Sequence, residues 1–305
     1  MKKIGFIDLD TMHARSFLPR LNAIPDILVT HVFDRARVRG PEETRKFCCD
    51  FNVTSCESTE ELADCTDGVM ILSADWNTHF DDLKLMIEIG TPAFCDKPLV
   101  GSLHECNALV ELCKKYQTPL LCGSGWRWNK QIQTAHQKFK DDEIHNLFIC
   151  SPNGFFYYGI HAIECLLGIL GPGITWVKTE RHEGDEGTLV AIGHRRGGSA
   201  RVMLRAPFFY RDIHFSVNGT PHNVSITSAD IHDGICSEFS KMVRTGKAIG
   251  TMAEYTEPVK TMLAIEQSIR TGKQVSVDEN LLVREIIDTG FMKKYIAEYE
   301  ASLKK

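Results

Sequence analysis

The sequence predicts an α/β protein of two domains, the first with a doubly wound parallel sheet and the second an α+β domain with a mostly antiparallel sheet. In residues 1–122, short apolar runs alternate with amphipathic helical patterns, which is typical of parallel strands joined by helices. In residues 123–305, several strand patterns follow one another directly, which favours antiparallel pairing. A length of 305 residues suits two domains. We place the boundary at residue 123, where Gly123-Ser-Gly125 interrupts the alternation.

Local patterns predict the elements of the first domain. Strands are predicted over residues 4–7, 27–33, 68–72, 93–95 and 119–122, and helices over residues 11–22 and 78–89. Two more helices begin where a serine is followed three residues later by a glutamate, at Ser58 and Ser102, because this spacing lets the two side chains cap the first turn.

In the second domain, one strand pattern precedes the helical pattern over residues 159–170, and four or five strand patterns follow it in series. Helices are predicted over residues 130–140, 159–170, 235–244 and 258–270 and again towards the C-terminus, and strands over residues 146–150, 175–181, 188–194, 199–205, 213–217 and 223–227. These strands in series predict the antiparallel sheet.

Composition argues against several classes of partner. The net charge is −5 and no basic block is longer than a pair of residues, so we expect no nucleic-acid partner. No apolar run is long enough to span a membrane, and the first residues do not resemble a signal peptide. The eleven cysteines include no CxxC pair, which indicates reduced thiols and a cytoplasmic protein.

The stretch IGFIDLDTMH, residues 4–13, runs from a strand into a helix. At this point a dinucleotide-binding domain carries the turn G-x-G-x-x-G, whose glycines let the backbone approach the pyrophosphate. Asp8, Asp10 and His13 stand at the glycine positions, so side chains obstruct that approach and two carboxylates repel a phosphate.

A second pattern surrounds Lys97, which follows the strand over residues 93–95. The carboxyl edge of a parallel sheet is where open α/β folds bind ligands, and a half-buried lysine there can have a lowered pKa and move a proton. Several stretches around it carry a resemblance, in the same order along the chain: Val32-Phe-Asp34-Arg35, Asp75-Trp-Asn77-Thr-His79, Gly90-Thr-Pro-Ala-Phe-Cys-Asp96-Lys97-Pro98-Leu99, Gly123-Ser-Gly-Trp-Arg127 and Gly159-Ile-His161-Ala-Ile-Glu164. Together they resemble the Gfo/Idh/MocA family of NAD(P)-dependent oxidoreductases.

The resemblance implies a function and roles for single residues. It implies a Rossmann domain and hydride transfer between NAD(P) and a hydroxyl or ketone of a sugar, polyol or similar small metabolite. Lys97 matches the active-site lysine, and His161 the histidine that relays the substrate proton. Tyr157 stands where relatives often have an aspartate. Asp34 matches the acidic residue on the adenosine ribose, which favours NAD, while Arg35 and Arg37 leave NADP open.

The resemblance also implies a cofactor site and an assembly. The cofactor-binding residues would be Asp8, Asp10, Thr11, Met12, His13, Asp34, Arg35, Ser73, Ala74, Asn77, His79, Asp96, Lys97, Pro98 and Arg127. No metal site is expected. Relatives pair through the sheet of the second domain, so a homodimer or homotetramer is expected.

Three interpretations of IGFIDLDTMH stay open at this point. In the first, the fold still binds NAD(P), with Asp10 as the cap of the following helix and Asp8 pointing away. In the second, the same fold has lost the cofactor and acts as a non-redox ligand-binding or partner protein. In the third, Asp8 and Asp10 are the paired aspartates of a haloacid-dehalogenase-like phosphatase, which would hold Mg²⁺, although Met12 stands where that motif has threonine.

Overall fold

The computed structural model describes residues 1–207, 211–227, 230–286 and 290–302. Its strands are β1 (Lys2–Ile7), β2 (Ile27–Phe33), β3 (Thr54–Ser55), β4 (Gly68–Ile71), β5 (Ala93–Cys95), β6 (Leu120–Cys122), β7 (Ile144–Pro152), β8 (Ile174–His182), β9 (Thr188–His194), β10 (Ala200–Ala206), β11 (Asp212–Val217), β12 (Thr220–Ser225) and β13 (Val275–Ser276). Its α-helices are α1 (His13–Asn22), α2 (Gly40–Phe51), α3 (Thr59–Cys65), α4 (His79–Ile89), α5 (Leu103–Tyr116), α6 (Gly125–Trp128), α7 (Lys130–Phe139), α8 (Gly159–Leu170), α9 (Asp233–Thr245), α10 (Met252–Thr271) and α11 (Phe291–Ser302).

The first sheet has the strand order β3-β2-β1-β4-β5-β6, and each neighbouring pair is parallel. Its central strand β1 is buried on both faces, as the side chains of Ile4, Phe6 and Ile7 show, because helices cover a parallel sheet on both sides. The strand order reverses between β1 and β4, and this switch point opens a crevice at the carboxyl edge of the sheet. The predicted doubly wound sheet is confirmed.

Two elements of the first domain, α2 and β3, have no counterpart in the sequence-based prediction. The residues of α2 that are fully buried are Thr44 and Phe47, so the helix carries no apolar stripe of the usual width. Both residues of β3 are exposed. Each element therefore lacks the periodic burial on which such a prediction rests.

The second sheet has the order β12-β11-β7-β10-β9-β8-β13. Neighbouring strands are antiparallel except β7 and β10, which are parallel. Every residue of α8 except His161 is buried, so this helix lies in the core and presents one partly open side chain. The prediction of a mostly antiparallel sheet is confirmed.

Two later helices return to the first sheet. α9 packs against α1 and β6, and α10 packs against α5. A Cβ on Gly68 would lie 2.7 Å from a methyl carbon of Val243, so α9 approaches β4 too closely for a side chain there. The crevice at the carboxyl edge is therefore enclosed by elements from both halves of the chain.

The segment before α11 lies beside the loop that follows β5. The backbone N–H of Leu103 donates to the carbonyl of Arg284 over 2.8 Å, and that of Ile286 donates to Gly101 over 2.9 Å. These bonds bring the start of α11 to the crevice. Within the described residues, no helix has the length and apolar character needed to cross a membrane.

Candidate functional site

Lys97 lies at the carboxyl end of β5, where the Lys97-Pro98 peptide bond is cis. The side chain is buried, and its Nζ donates to the carbonyl of Tyr157 over 3.1 Å. The same Nζ lies 3.3 Å from the centre of the Tyr157 ring. Burial lowers the pKa of Lys97 to about 8, although the charge of Asp96 opposes this change. At neutral pH the amine is therefore mostly protonated but loses its proton more readily than an exposed lysine does.

Asp96 joins Lys97 to the start of α1. Its carboxylate accepts the backbone N–H of Lys97 over 2.9 Å and pairs with Nδ1 of His13. Burial alone would raise the pKa of Asp96, but His13 and Lys97 outweigh it and hold this pKa well below its usual range. An ionised aspartate thus fixes the orientation of the His13 imidazole.

Two further histidines approach this pair from the second half of the chain. Nδ1 of His161, on α8, lies 2.6 Å from Oγ of Ser124. Burial, followed by the charge of Lys97, lowers the pKa of His161 well below its ordinary value, so the imidazole is neutral at physiological pH. The ring of His232 packs edge-on against His13, with centroids 4.8 Å apart.

His232 and Ser124 are site residues that the sequence analysis missed. His232 bonds to Oγ of Ser16 over 2.6 Å, and burial and His13 lower its pKa to about 4. Ser124 lies inside the stretch Gly123-Ser-Gly-Trp-Arg127, in which the resemblance gave a role to Arg127 alone. His232 lies in no motif, and its position follows from the packing of α1 against α9, which was not predicted.

Tyr157 is buried beneath Lys97 and contributes its ring and its carbonyl oxygen to the lysine. Burial, reinforced by the phenol of Tyr295 and the charge of Asp96, raises the pKa of Tyr157 well above its usual value. Tyr157 therefore stays protonated and holds the ammonium group in place.

Asp8 adopts φ +63°, a left-handed conformation that glycine takes without strain and other residues rarely take. Its carboxylate accepts the Arg35 backbone N–H over 2.8 Å, the Arg35 guanidinium over 2.6 Å and the Ser73 hydroxyl over 2.6 Å. Arg35 also donates to Asp82. Asp8, Arg35 and Asp82 thus form a buried charged triad, which also places the predicted cofactor residues Arg35 and Ser73.

Asp10 is buried and accepts the backbone N–H of Ala74 over 2.8 Å. Burial, followed by repulsion from Asp8, raises the pKa of Asp10 to about 7. The expectation that Asp10 caps α1 is wrong, because Met12 holds the cap position without a side-chain bond. The hydroxyl of Thr11 instead accepts the backbone N–H of His13 over 3.0 Å.

Asp34 joins its own turn to the loop after β1 and to α2. One carboxylate oxygen accepts the N–H groups of Leu9 and Ala36 over 3.4 and 3.0 Å, and the other accepts the Thr44 hydroxyl over 2.5 Å. The described hydrogen bonds of Asp34 thus stabilise the turn after β2. Arg37, nearby, lies 3.3 Å from Asp75.

The segment after β4 is hydrogen-bonded to Pro98, the residue that follows Lys97. The ring nitrogens of His79 lie 2.8 Å from the Pro98 carbonyl and 3.1 Å from the Ser73 carbonyl, so this buried histidine joins the ends of β4 and β5. Asn77 donates to Asp75 through its backbone and its side chain.

Arg127 lies on α6, where its Nη1 is 3.4 Å from the carboxylate of Glu164. Both side chains are buried. Burial raises the pKa of Glu164 to about 7, against the charge of Arg127. Arg127, predicted to bind cofactor, thus pairs with a residue of α8.

The helix α11 lies across the crevice. The ring of Phe291 is 5.1 Å from that of Trp76 and 4.4 Å from that of Tyr157, centre to centre. At the other end of the helix, the Arg39 guanidinium stacks on Tyr299, 4.6 Å from the ring centre. The carboxyl edge of the first sheet is therefore covered by the chain itself.

The phosphatase interpretation finds no support in this geometry. Asp8 bonds to Arg35 and Ser73, whereas Asp10 bonds to Ala74, so the two carboxylates do not converge on one metal. Within the described part of the chain, no group of three or more His, Cys, Asp or Glu side chains could hold a metal ion.

Comparison with known proteins places this geometry among oxidoreductases. Residues 3–124 match a family model described as an oxidoreductase family with an NAD-binding Rossmann fold. An uncharacterised oxidoreductase of Streptococcus pneumoniae is 18% identical over 202 residues, covering 56% of this chain and 55% of its own length. The 2,7-anhydro-N-acetylneuraminate hydratase of Escherichia coli is 20% identical over 239 residues, covering 68% of this chain and 62% of its own length. The chain thus matches less than two thirds of the length of these curated relatives.

Solved structures share the whole architecture. The scyllo-inositol dehydrogenase of Lactobacillus casei with bound NAD(H) and scyllo-inositol has a TM-score of 0.76 at 14% identity. The superposition covers 91% of this chain and 99% of that one. At this level of identity the likeness establishes the fold, and it confirms the predicted fold class.

Proposed function

We propose that this chain, whose residues 3–124 match a family model for oxidoreductases with an NAD-binding Rossmann fold, is a member of the Gfo/Idh/MocA family and transfers a hydride between NAD(P) and a hydroxyl or keto carbon of a small polar metabolite. The observation that carries the proposal is Lys97, a buried amine whose pKa is lowered to about 8 at the carboxyl edge of the sheet. The L. casei neighbour carries a polyol, scyllo-inositol, which supports sugars and polyols as the substrate class.

The residues at the Lys97 end of the crevice suit a nicotinamide and a polar substrate. Lys97 and His161 belong to the motifs that carry the resemblance and can both exchange protons, and Tyr157 packs against Lys97. At the other end, Asp8 is already neutralised by Arg35, and Asp10, with a pKa of about 7, carries little more than half a charge at neutral pH. Charge alone therefore does not exclude a pyrophosphate there.

Each proton-handling residue has a separate task in the proposed reaction. When bound, the nicotinamide would supply or accept the hydride. Lys97 accepts the hydroxyl proton during oxidation or returns it during reduction, because a pKa near the working pH suits both directions. His161, neutral through burial, is proposed to relay the substrate proton, accepting it at one ring nitrogen while the other nitrogen donates its own. Tyr157 holds the lysine, and Asp96 with His13 holds the backbone from which the lysine projects.

We propose NAD ahead of NADP as the cofactor. Asp34 places a negative charge at the end of β2, where a 2′-phosphate would lie in a Rossmann fold, and the guanidinium of Arg35 is engaged by Asp8 and Asp82. Arg37 is the basic side chain that would bind the 2′-phosphate if the cofactor were NADP. Ser73, Ala74, Asn77 and Pro98 are proposed to line the nicotinamide side.

We also propose a homodimer or homotetramer in solution. Phe148 of β7 is 40% exposed, which is unusual for a large aromatic side chain in the middle of a sheet and supports pairing of this face with a second copy. Light scattering coupled to gel filtration tests this assembly, and a monomer at all concentrations would exclude it.

The direct test of function uses purified protein with NADH or NADPH at millimolar concentration. Consumption of the reduced nucleotide would be followed by absorbance with a panel of keto-sugars. Its formation from the oxidised nucleotide would be followed in the same way with the matching polyols. We expect turnover with at least one pair. No nucleotide-dependent turnover, either by the full chain or by a chain shortened after Gly290, would refute the proposed reaction.

A further inference from the structure

The helix α11 carries a narrow aromatic stripe. Phe291, Tyr295 and Tyr299 recur every four residues, which places them on one side of the helix. Each is half-buried, whereas Lys293, Lys294, Ala297, Glu298 and Glu300 are exposed. Among the described side chains of α11 none is fully buried. The helix therefore rests on the molecule through one stripe and is not part of its core.

The aromatic residues of this stripe contact the walls of the crevice one after another along the helix. Phe291 contacts Trp76, which follows β4, and Tyr157, which lies under Lys97. The ring of Tyr295 lies 6.0 Å from that of Tyr157. A helix of 12 residues extends about 18 Å, so α11 reaches from the Lys97 end towards the end of β2.

The far end of the stripe reaches the turn after β2. The hydroxyl of Tyr299 accepts from Nη1 of Arg39 over 3.4 Å, and the same guanidinium stacks on the tyrosine ring. Arg39 also donates to the carbonyl of Asp10 over 3.3 Å. Arg39 thus connects the helix to the turn that would face a pyrophosphate.

Burial at the carboxyl edge supports the same placement. Asp8, Asp10, Asp96 and Lys97 are each at most 4% exposed, although they follow β1 and β5, on either side of β4, at the mouth of a crevice. Burial, followed by the phenol of Tyr158 and the carboxylate of Asp10, raises the pKa of Tyr295 to about 12. In an open dinucleotide groove these positions would face the ligand.

We propose that α11 is an intramolecular occupant of the dinucleotide groove and that NAD(P) binds only when the helix leaves it. The inference rests on the proposed function, because it names the ligand with which the helix competes. A ligand that binds only the open fraction of the molecules has its apparent affinity reduced by that fraction. Half-buried, solvent-facing elements open more readily than core helices, and α10, with eleven buried residues, shows the contrast.

The test compares nucleotide affinity in four proteins by NADH and NADPH fluorescence titration. These are the full chain, a chain ending at Gly290, the double variant F291S/Y295S and the double variant K293S/K294S. Each double variant changes two residues of α11. F291S/Y295S alters the aromatic stripe, and K293S/K294S alters the exposed surface of the same helix. We expect at least tenfold tighter binding by the shortened chain, an intermediate gain in F291S/Y295S and no change in K293S/K294S.

A synthetic peptide of residues 290–302 provides a second measurement. Added to the shortened chain, it should weaken NADH binding competitively, because it restores the occupant in trans. If the shortened chain loses its cooperative thermal transition, the F291S/Y295S variant decides the question alone, since it keeps the whole chain.

The outcomes separate this inference from the proposed function. Equal, measurable affinities in the full chain, the shortened chain and F291S/Y295S would overturn the role of α11 and leave the oxidoreductase proposal intact. A folded, shortened chain that binds neither nucleotide at millimolar concentration would overturn both, and would identify the protein as a cofactor-free member of its family. Tighter binding on removal of the aromatic stripe supports both.

Discussion

The two ends of the crevice differ in how closely their residues match the motifs that carry the resemblance. The Lys97 end has Lys97, Pro98 and His161, which belong to those motifs, and its Lys97-Pro98 bond is cis. The opposite end has carboxylates in place of glycines, and each is bonded inside the protein: Asp8 to Arg35 and Asp10 to Ala74. The Lys97 end thus keeps the residues proposed for acid–base chemistry, whereas the opposite end is built around an internal ion pair and an internal hydrogen bond.

The largest expected effect tests whether the kept end is functional. Replacing Lys97 by Ala should lower kcat by about 10²–10⁴-fold, the usual contribution of a general acid–base group, with little change in thermal stability. The control is Lys114→Ala, which removes an exposed lysine of α5. The measurement is kcat with the best substrate from the screen, and an unchanged value would remove Lys97 from the mechanism.

The second largest effect concerns stability. It tests whether the charged triad of Asp8, Arg35 and Asp82 stabilises the folded protein. Arg35→Met would leave Asp8 and Asp82 buried without their shared cation. Loss of one partner of a buried pair destabilises a protein by about 3–5 kcal/mol. Urea unfolding measures the free energy of unfolding.

Arg37→Met provides the matched control for Arg35→Met. Arg37 is half exposed and pairs with Asp75, so its loss should cost about 0–1 kcal/mol. Equal losses in the two variants would show that the triad contributes nothing beyond a surface ion pair.

A smaller effect depends on pH and concerns Asp10. Its pKa rises from 3.8 to about 7 on folding, so the folded protein binds the proton more tightly than the unfolded chain. The contribution of Asp10 to stability is therefore largest below about pH 4 and declines as the pH rises through 7. Each pKa unit corresponds to about 1.4 kcal/mol.

Asp10→Asn keeps an oxygen acceptor for Ala74 and removes the charge. At pH 8 the variant should melt above the unchanged protein, and this gain should shrink as the pH falls below 7 and vanish near pH 4. Melting temperatures measured across this range provide the test, with Asp81→Asn on the exposed side of α4 as the control for removal of one surface charge. A gain that is constant with pH would exclude the buried carboxylate as its source.

The smallest effect concerns the outer end of α11. Arg39→Met removes the cation stacked on Tyr299, an interaction of about 0.5–1 kcal/mol at an exposed site. We expect NADH to bind two- to fivefold more tightly, which that energy allows, with the melting temperature almost unchanged. Weaker binding would mean that Arg39 serves the nucleotide more than the helix.

Much of the fold was predictable because burial is periodic along the sequence. The capping box of Ser102 and Glu105 forms as expected, and α8 spans the predicted residues. The parallel pairing of β7 with β10 was not predictable, because it joins strands that are distant in sequence and leaves no local pattern.

The candidate site was predictable only where motifs have fixed spacing. Lys97, Pro98 and His161 follow from such motifs. The side-chain pairs at the start of α1 connect residues that are far apart in the sequence. His13 pairs with Asp96, 83 residues away, and Ser16 pairs with His232, 216 residues away. Their partners are chosen by the packing of helices on the sheet, which no short stretch of sequence encodes.

The position of α11 also affects how the protein should be produced and assayed. A purification tag or reporter fused after Lys305 would be attached to the element that lies across the crevice, and its bulk could hold that element down or pull it away. Tags on the amino terminus begin at β1, whose first residue lies at the opposite edge of the sheet from the crevice. Preparations tagged at different ends are therefore expected to differ in nucleotide affinity although their amino-acid sequences within residues 1–305 are identical.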